Sequence, residues 1–431
     1  MSTPTKRIAF HTMGCKLNFS ESSTISRDIN GQGFEQVAYQ SEADIYVINT
    51  CSVTENADKE ARKLIRQAKR RNPNSSIVVI GCYAQLKPNE IAAMDGVDIV
   101  LGTEEKFNLI NHINNIDLDG GMKIIQSDID HIHSFVPSYS SGERTRSFLK
   151  IQDGCDYICS FCTIPLARGR SRNNTIESTM KMAQEVAGTN TREIVLTGVN
   201  IGDFGKGSKE TFFDLMIELN KLEGIDRIRI SSIEPNLLTD QIIGYCAKSK
   251  KFMPHFHLPL QSGSNKILRK MKRRYRKENY EARVKKIKSN IPDACVGADV
   301  IVGFPGETED DFLETHNFLN ELEISYLHVF TFSERSNTVA VEMDEVVPKE
   351  IKDERSKMLH ILSDKKRRHF NDQFINKNRP VLFENIKNGK ILGHTDNYIQ
   401  VEVKTGTNFI NTIQDVKLID NHNTFVIGDI V

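Results

Sequence analysis

The chain has 431 residues, 39% of them hydrophobic and 26% charged, and its 57 Lys and Arg side chains balance 57 Asp and Glu. This globular composition excludes collagen-like, disordered and disulfide-rich miniature proteins, and the length predicts two to four domains. No apolar run approaches the roughly 18 residues of a membrane span, and the start MSTPTKRIAF lacks the apolar core of a secretory signal. We therefore expect a cytoplasmic protein without membrane contact, whose cysteines suit metal sites or catalysis better than disulfides.

Residues 1–115 alternate short apolar runs with helical patterns. The strand candidates are RIAF, DIYVIN, SIVVIG and DIVLG. This alternation predicts an N-terminal α/β domain with a parallel sheet. Residues 116–145 contain Gly120-Gly121 and the polar run SYSSGERT, which together predict a linker.

Residues 146–370 repeat the alternation, and a long charged helix over 349–374 leads from this region into the next. The six strand candidates are SFLKI, EIVLT, RIRIS, HFHLP, ACVGADVIVGF and SYLHVF. They predict a central partial (β/α)6 barrel, in which reactive groups gather at the C-terminal ends of the strands. Residues 371–431 hold short strands between Gly and Asn turns, typical of a small antiparallel β-barrel. The predicted fold class is therefore α/β with a C-terminal β-barrel.

Three cysteines follow the first strand of the predicted barrel at C-x3-C-x2-C spacing: Cys155, Cys159 and Cys162, in GCDYICSFC. Three thiolates in one loop hold a metal centre with an open coordination position, whereas structural zinc normally takes four protein ligands. Zinc and three unrelated core cysteines remain the alternatives. The spacing resembles the signature of the radical S-adenosylmethionine (SAM) superfamily, which implies a 4Fe-4S cluster on these thiolates and SAM on its open iron.

A second set, Cys15, Cys51 and Cys82, is spread along the N-terminal region at separations of 36 and 31 residues. Each cysteine follows a predicted strand by one to four residues. Because the C-terminal ends of parallel strands share one edge of a sheet, the three side chains can converge there. The alternative is that each is a small buried hydrophobe, which is how we interpret Cys246 and Cys295.

The two triplets in this order, followed by a β-barrel, resemble the radical SAM methylthiotransferase family over essentially the whole chain. The resemblance implies a second, auxiliary 4Fe-4S cluster on Cys15, Cys51 and Cys82, and a C-terminal TRAM domain that grips substrate. The matching subgroup is the tRNA threonylcarbamoyladenosine methylthiotransferases, on the segments TMGCKLN, NTCSVTENADKEARKLIRQAKRRNP and LQSGSNKILRKMKRRY.

That resemblance implies conversion of N6-threonylcarbamoyladenosine beside the anticodon of tRNA to its 2-methylthio derivative. Two alternatives keep the chemistry and change the substrate, to isopentenyladenosine in tRNA or to a ribosomal-protein aspartate. An alternative of another class is a zinc-stabilised RNA-binding module without catalysis. The family also implies an electron donor such as flavodoxin or ferredoxin, and we expect a monomer.

Loops after the barrel strands supply the remaining candidates. The resemblance places Thr197, Gly198, Asn200, Ile301 and Gly303 against SAM, with an ordinary turn between strand and helix as the alternative. Glu234 and Gln261 follow predicted strands at the barrel mouth, where a carboxylate or an amide can hydrogen-bond the ribose or the methionine group of SAM. FSERSNTVA (332–340) resembles a family segment and makes Arg335 a candidate substrate or linker contact. The segment departs from the family at Phe332 and Asn337, where the family has tyrosine and glycine, although Asn tolerates the left-handed turn.

Charge is distributed unevenly along the chain. Residues 266–288 hold twelve Lys and Arg against two Glu, and three smaller basic clusters lie at 61–71, 167–172 and 365–368. Such stretches attract a phosphate backbone. We therefore expect a tRNA partner with Arg273 and Arg274 among the substrate contacts, helped by Tyr275 and Tyr280. The predicted C-terminal barrel is slightly acidic, with four Lys against six Asp and Glu in 380–431.

Overall fold

The computed structural model describes residues 5–51, 55–115, 122–142 and 145–431. The N-terminal region forms a six-stranded parallel sheet in the order β2-β1-β3-β4-β5-β6. Its strands are β1 (Lys6–Thr12), β2 (Phe34–Val37), β3 (Ile45–Thr50), β4 (Ser76–Gly81), β5 (Ile99–Leu101) and β6 (Lys123–Ile125). Its helices are α1 (Lys16–Ile29), α2 (Glu55–Arg71), α3 (Cys82–Leu86), α4 (Pro88–Ala92) and α5 (Leu109–Asn114).

Helices cover both faces of this sheet, so every residue of β3 is buried. That explains the nearly continuous apolar strands in the sequence. The predicted linker contributes to two sheets, since β6 extends the N-terminal one and β7 (Ser138–Tyr139) pairs with the next strand. Gly120-Gly121 lies outside the described residues. The exact division into domains stays a prediction.

Six parallel strands build the central region and confirm the predicted partial barrel. They are β8 (Arg146–Lys150), β9 (Glu193–Thr197), β10 (Arg227–Ile230), β11 (His255–Gln261), β12 (Cys295–Val302) and β13 (Tyr326–Thr331). Bridges Ile228–Phe252 and Ser232–His257 join the two halves of the barrel. The helices between the strands are α6 (Ile164–Arg168), α7 (Ile176–Ala187), α8 (Phe212–Lys221), α9 (Asp240–Lys248), α10 (Asn265–Lys270), α11 (Lys277–Asn290) and α12 (Glu309–Glu321).

The helix α13 (Lys349–Asp372) leads into a closed five-stranded barrel, as predicted. Its strands are β14 (Asn378–Lys387), β15 (Lys390–Thr395), β16 (Gln400–Val403), β17 (Ile413–Asn421) and β18 (Val426–Ile430). All pairings are antiparallel except β16 with β18. Val381, Phe383 and Val401 are among its fully buried core residues.

The C-terminal barrel closes the bottom of the central barrel, where the central strands begin. Arg227 at the start of β10 donates a hydrogen bond to the Pro380 carbonyl at 2.8 Å. Arg229 donates to the Thr395 carbonyl at 2.8 Å. These contacts leave the opposite end of the central barrel, its mouth, uncovered by the C-terminal barrel.

A buried ionic cluster fastens the N-terminal sheet to the central barrel. Glu21 of α1 is within 2.6 Å of Lys106 Nζ, 2.8 Å of Lys150 Nζ and 3.0 Å of Arg168 Nη1. Each of these side chains is at most 1% exposed. Burial alone would raise the pKa of Glu21, but the three cations lower that pKa well below its ordinary value. Within the described ranges, no helix is long and apolar enough to cross a bilayer.

Candidate active site

One cavity of about 710 Å³ lies where the three parts of the fold meet. Its walls come from the ends of the N-terminal strands, from the interior of the central barrel, and from His394 and Tyr398 of the C-terminal barrel. A volume of this size suits a ligand as large as a nucleoside.

Cys15, Cys51 and Cys82 line this cavity together, although they are far apart in sequence. Cys15 is the N-cap of α1, Cys51 follows β3, and Cys82 begins α3. Gly14 permits the approach, because its φ is +87° and a Cβ atom there would lie 2.8 Å from Cys51 Sγ. Burial raises the pKa of the Cys82 thiol, while the nearby Arg168 guanidinium opposes that rise.

Cys155, Cys159 and Cys162 lie in the loop between β8 and α6, at the mouth of the central barrel. Cys155 Sγ accepts a hydrogen bond from the Tyr157 amide at 3.4 Å, and Cys162 Sγ accepts one from the Ile164 amide at 3.5 Å. Burial raises the pKa of Cys155 and of Cys162 to about 12. As free thiols they keep their protons, so a bound metal centre has to displace those protons.

The geometry of the two triplets argues against a single zinc ion. A single metal ion needs ligand atoms close to one another. Among the described residues, the ligand atoms of His257, Asp299 and His328 lie within 4.8 Å of one another, whereas the sulfurs of neither cysteine triplet do. A tetrahedral zinc ion with Zn–S bonds of about 2.3 Å would draw its sulfurs to roughly 3.8 Å. A multi-iron cluster binds each thiolate through a different iron and spreads them further apart. Both cysteine sets therefore fit clusters better than zinc.

Three candidate SAM contacts lie at the end of β9 and in the loop after it. Thr197 and Gly198 line the same cavity as the N-terminal cysteines. Gly198 packs closely against Gln152, since a Cβ atom there would lie 2.9 Å from Gln152 Oε1. Asn200 is buried and donates a hydrogen bond to Asp203 at 3.0 Å. This loop therefore joins the cavity to the mouth of the barrel.

The other candidates end the next strands around the same mouth. Gln261 closes β11 with a φ of +71°, and Gly303 follows β12 with a φ of +72°. Ile301 packs into an apolar cluster together with Phe161 of the cysteine loop. Each of these positions lies at or near the C-terminal end of a central strand, and contact with SAM stays a prediction.

Glu234 and Arg273 form an ion pair beside the cysteine loop. Arg273 Nη2 lies 2.7 Å from Glu234 Oε1, and Arg273 Nη1 lies 3.2 Å from Cys159 Sγ. Burial raises the pKa of Glu234, and Arg273 opposes that rise. With a side chain only 4% exposed, Arg273 contacts the cluster loop instead of facing outward to RNA.

Of the other residues in this basic segment that we expected to contact RNA, one is exposed and two are buried. Arg274 is exposed, and its guanidinium stacks 3.9 Å from the centroid of the Tyr157 ring. Tyr275 and Tyr280, expected to help RNA binding, are 6% and 0% exposed and pack into the core. That expectation is wrong, because both rings pack into the apolar core of the central region.

Arg335 is buried and pairs with Asp58 of α2 at 3.0 Å. It therefore links the segment after β13 to the N-terminal region, and a substrate contact by Arg335 stays a prediction. Asn337 has a φ of +67° and keeps the left-handed turn, as expected. Phe332 packs against Phe304, with ring centroids 5.4 Å apart. Cys246 and Cys295 are buried, as predicted.

The sequence-based prediction missed the polar interior of the central barrel. Lys16, Arg229, His255, His257, Asp299 and His328 all line the cavity. Asp299 Oδ1 lies 2.9 Å from His257 Nε2 and 3.1 Å from His328 Nδ1. The sequence did contain a signal for this polar interior. Residues of a barrel strand point alternately inward and outward, so His255 and His257, which are two residues apart in β11, point to the same side.

Two family models match the chain. Residues 7–102 match an uncharacterized protein family, UPF0004, and residues 149–319 match the radical SAM superfamily. Among solved structures, the radical S-adenosylmethionine methyltransferase TsrM from Kitasatospora setae, with cobalamin and a 4Fe-4S cluster bound, superposes with a TM-score of 0.57 at 13% identity. The match covers 78% of this chain and 77% of that one, and it supports the fold alone.

Curated relatives cover nearly the whole chain. The threonylcarbamoyladenosine tRNA methylthiotransferase MtaB of Bacillus subtilis is 40% identical, over 96% of this chain and 93% of the relative. The protein of the same name from Aquifex aeolicus is 38% identical, over 92% of this chain and 96% of the relative. A tRNA-2-methylthio-N(6)-dimethylallyladenosine synthase from Clostridium tetani is 33% identical, over 94% of this chain and 92% of the relative. The chain belongs to the radical S-adenosylmethionine methylthiotransferase family.

Proposed function

We propose that this chain converts N6-threonylcarbamoyladenosine beside the anticodon of tRNA to its 2-methylthio derivative. The observation that carries the proposal is the convergence of Cys15, Cys51 and Cys82 on a cavity that opens into a barrel with a C-x3-C-x2-C loop at its mouth. The 40% identical relative bears the name of this activity.

Each cysteine triplet fits a 4Fe-4S cluster by its donor chemistry, because three thiolates leave one coordination position open. Cys155, Cys159 and Cys162 would hold the cluster that binds SAM, and Cys15, Cys51 and Cys82 the auxiliary one. When bound, these groups supply a carbon-centred radical and the sulfur that is methylated and transferred. An aromatic C–H bond is too inert for general-base chemistry, which is why a radical is needed and why no acid or base residue is assigned.

The protein contributes binding, orientation and exclusion of water. Residues at the ends of the barrel strands would hold SAM, namely Thr197, Gly198, Asn200, Glu234, Gln261, Ile301 and Gly303. Arg273 donates to Cys159 and neutralises Glu234, so it would stabilise the thiolate beside SAM. The C-terminal barrel covers the bottom of the central barrel and keeps bulk water from entering there.

The tRNA would approach over exposed basic surfaces. Along α2, Lys59, Lys63, Arg66 and Arg70 are all exposed, at a spacing that places them on one helix face. Arg274 adds an exposed guanidinium near the mouth of the central barrel. Phosphate contacts of this kind give affinity that falls with salt. We further propose that the protein acts as a cytoplasmic monomer and receives electrons from a flavodoxin or ferredoxin.

The test is mass spectrometry of tRNA nucleosides after anaerobic turnover with SAM and a chemical reductant. We expect 2-methylthio-N6-threonylcarbamoyladenosine to appear from tRNA that carries the unmethylthiolated precursor. A 2-methylthio product from isopentenyladenosine tRNA alone would shift the substrate to that alternative. Colourless protein with stoichiometric zinc would contradict the enzymatic proposal.

A further inference from the structure

The inner part of the cavity contains buried polar atoms without partners. Ser231 Oγ and His255 Nδ1 both lack a hydrogen-bond partner among the described residues, and the two residues are only 7% and 5% exposed. Both line the cavity. Unpaired buried polar groups cost free energy, so their presence in a cavity wall indicates a polar ligand.

Two cations in the same wall are also available to a ligand. The side chains of Lys16 and Arg367 make no ion pair or hydrogen bond with any part of the chain that the structure describes, although the Arg367 guanidinium lies 5.6 Å from the centroid of the Tyr326 ring. Arg229 differs, because Glu193 neutralises it at 2.8 Å. The Lys16 side chain is exposed and lines the cavity, so a ligand bound there can reach its ammonium.

The balance of charge in the cavity wall favours an anion. Four cations line it, Lys16, Arg168, Arg229 and Arg367, against a single carboxylate, Asp299, among the described lining residues. Asp299 is already engaged by His257 and His328. An anionic group on a ligand would therefore find free positive charge and no free negative charge.

We propose that this inner chamber, formed by Lys16, Ser231, His255 and Arg367, binds the threonylcarbamoyl group, with Lys16 as the counter-ion of its carboxylate. The proposal rests on the function proposed above. A threonylcarbamoyl group carries a carboxylate, a hydroxyl and a urea, which match an ammonium, a serine hydroxyl and an imidazole. A dimethylallyl group is pure hydrocarbon and would leave all these groups unpaired, which a polar pocket rejects strongly.

The position of Lys16 fits this role. It directly follows Cys15 in the sequence, so it stands where the wall with the three cysteines meets the inner chamber. In adenine, ring nitrogen 1 lies between carbon 2 and carbon 6, and carbon 6 carries the substituted N6. A base that presents carbon 2 to Cys15 therefore carries its N6 substituent toward the neighbouring chamber.

Binding of anticodon stem-loop RNAs tests the chamber directly. Three RNAs of one sequence would carry threonylcarbamoyladenosine, isopentenyladenosine or plain adenosine, and affinity for the cluster-loaded protein would be measured by fluorescence anisotropy. We expect the protein to prefer the threonylcarbamoyl RNA. Lys16→Met should reduce that preference by about 10- to 100-fold, the value of a hydrogen bond to a charged group. Ser231→Ala should reduce it by about 2- to 10-fold.

The matched control is Lys221→Met, since Lys221 is an exposed lysine of α8 paired with Glu218. It should keep the full preference. Iron content is measured for every variant; if Lys16→Met loses iron, Ser231→Ala and Arg367→Met carry the test. If the iron-loaded variants keep their full preference for the threonylcarbamoyl RNA, the proposed role of the chamber is wrong, even if the nucleoside assay still shows product. Absence of product and of any preference in the unaltered protein would overturn the proposed function instead.

Discussion

Arg273 Nη1 lies 3.2 Å from Cys159 Sγ, and the Nη2 atom of the same guanidinium lies 2.7 Å from Glu234 Oε1. One buried cation thus contacts both the cysteine loop, which follows β8, and the carboxylate of Glu234, which follows β10. Arg274, the following residue, turns outward and stacks on Tyr157. Adjacent arginines of one basic cluster therefore serve different purposes.

The two arginines should give opposite phenotypes. Arg273→Gln removes the donor to Cys159 and leaves Glu234 without its cation, so we expect SAM cleavage to fall by about 10-fold or more. Arg274→Gln should retain iron and cleavage and weaken tRNA binding by about 2- to 5-fold, with a shallower salt dependence. Cleavage of SAM to 5'-deoxyadenosine and anisotropy titrations with tRNA measure the two effects. Unchanged cleavage in iron-loaded Arg273→Gln would refute the role of Arg273.

The two cysteine sets should separate into two activities. The unaltered protein, purified anaerobically, should contain about eight iron and eight sulfide, and either single substitution should reduce both to about four. Cys159→Ala should abolish SAM cleavage, whereas Cys51→Ala should retain cleavage and lose sulfur insertion. Cys246→Ala is the matched control, because Cys246 is a buried core residue outside the cavity lining. Equal retention of both activities in both variants would contradict the assignment.

Removing the carboxylate of Glu21 should destabilise the protein severely. Glu21→Gln leaves Lys106, Lys150 and Arg168 buried with too little negative charge, at a cost of about 3 to 5 kcal/mol. Urea unfolding followed by circular dichroism measures the change, since the chain contains no Trp for fluorescence. Glu177→Gln, at an exposed carboxylate paired with Lys181, is the control and should unfold like the unaltered protein. Equal stability of the two variants would show that the ionic cluster around Glu21 is not needed for the stability of the protein.

His255 should make stability depend on pH in the slightly acidic range. Burial, assisted by nearby cations, holds the pKa of His255 well below its ordinary 6.5. The groups that face it with positive charge are Arg229, Lys16, His257 and His394. Below pH 6.5 the unfolded chain binds a proton that the native protein does not, so stability falls as pH falls, by up to about 1.4 kcal/mol per pH unit.

The dependence disappears if the imidazole is replaced. His255→Gln should flatten the stability profile over about 1.5 pH units below the ordinary histidine pKa of 6.5, as followed by urea unfolding at several pH values. His316→Gln, at a histidine outside the cavity lining, provides the comparison. An unchanged slope in His255→Gln would show that other groups cause the acid sensitivity.

Local signals in the sequence were sufficient for the elements and for one of the two cysteine sets. Apolar runs and helical periods predicted most strands of the three regions, because the period of hydrophobicity reflects the geometry of one element alone. The short strands β2, β6 and β7 were not predicted. The spacing of Cys155, Cys159 and Cys162 predicted their common loop, since eight residues cannot separate them far. The left-handed turn at Asn337 followed equally from a local preference.

Only the tertiary structure decided which distant side chains meet. The sequence permitted Cys15, Cys51 and Cys82 to converge, but the strand order β1-β3-β4 makes it happen, because it places the ends of three neighbouring strands at one cavity. The same holds for Arg273 turning inward, for the burial of Tyr275 and Tyr280, and for the polar chamber around Lys16. Element type depends on local periodicity, whereas the direction of each side chain depends on how the strands are ordered and how the barrel closes around its core.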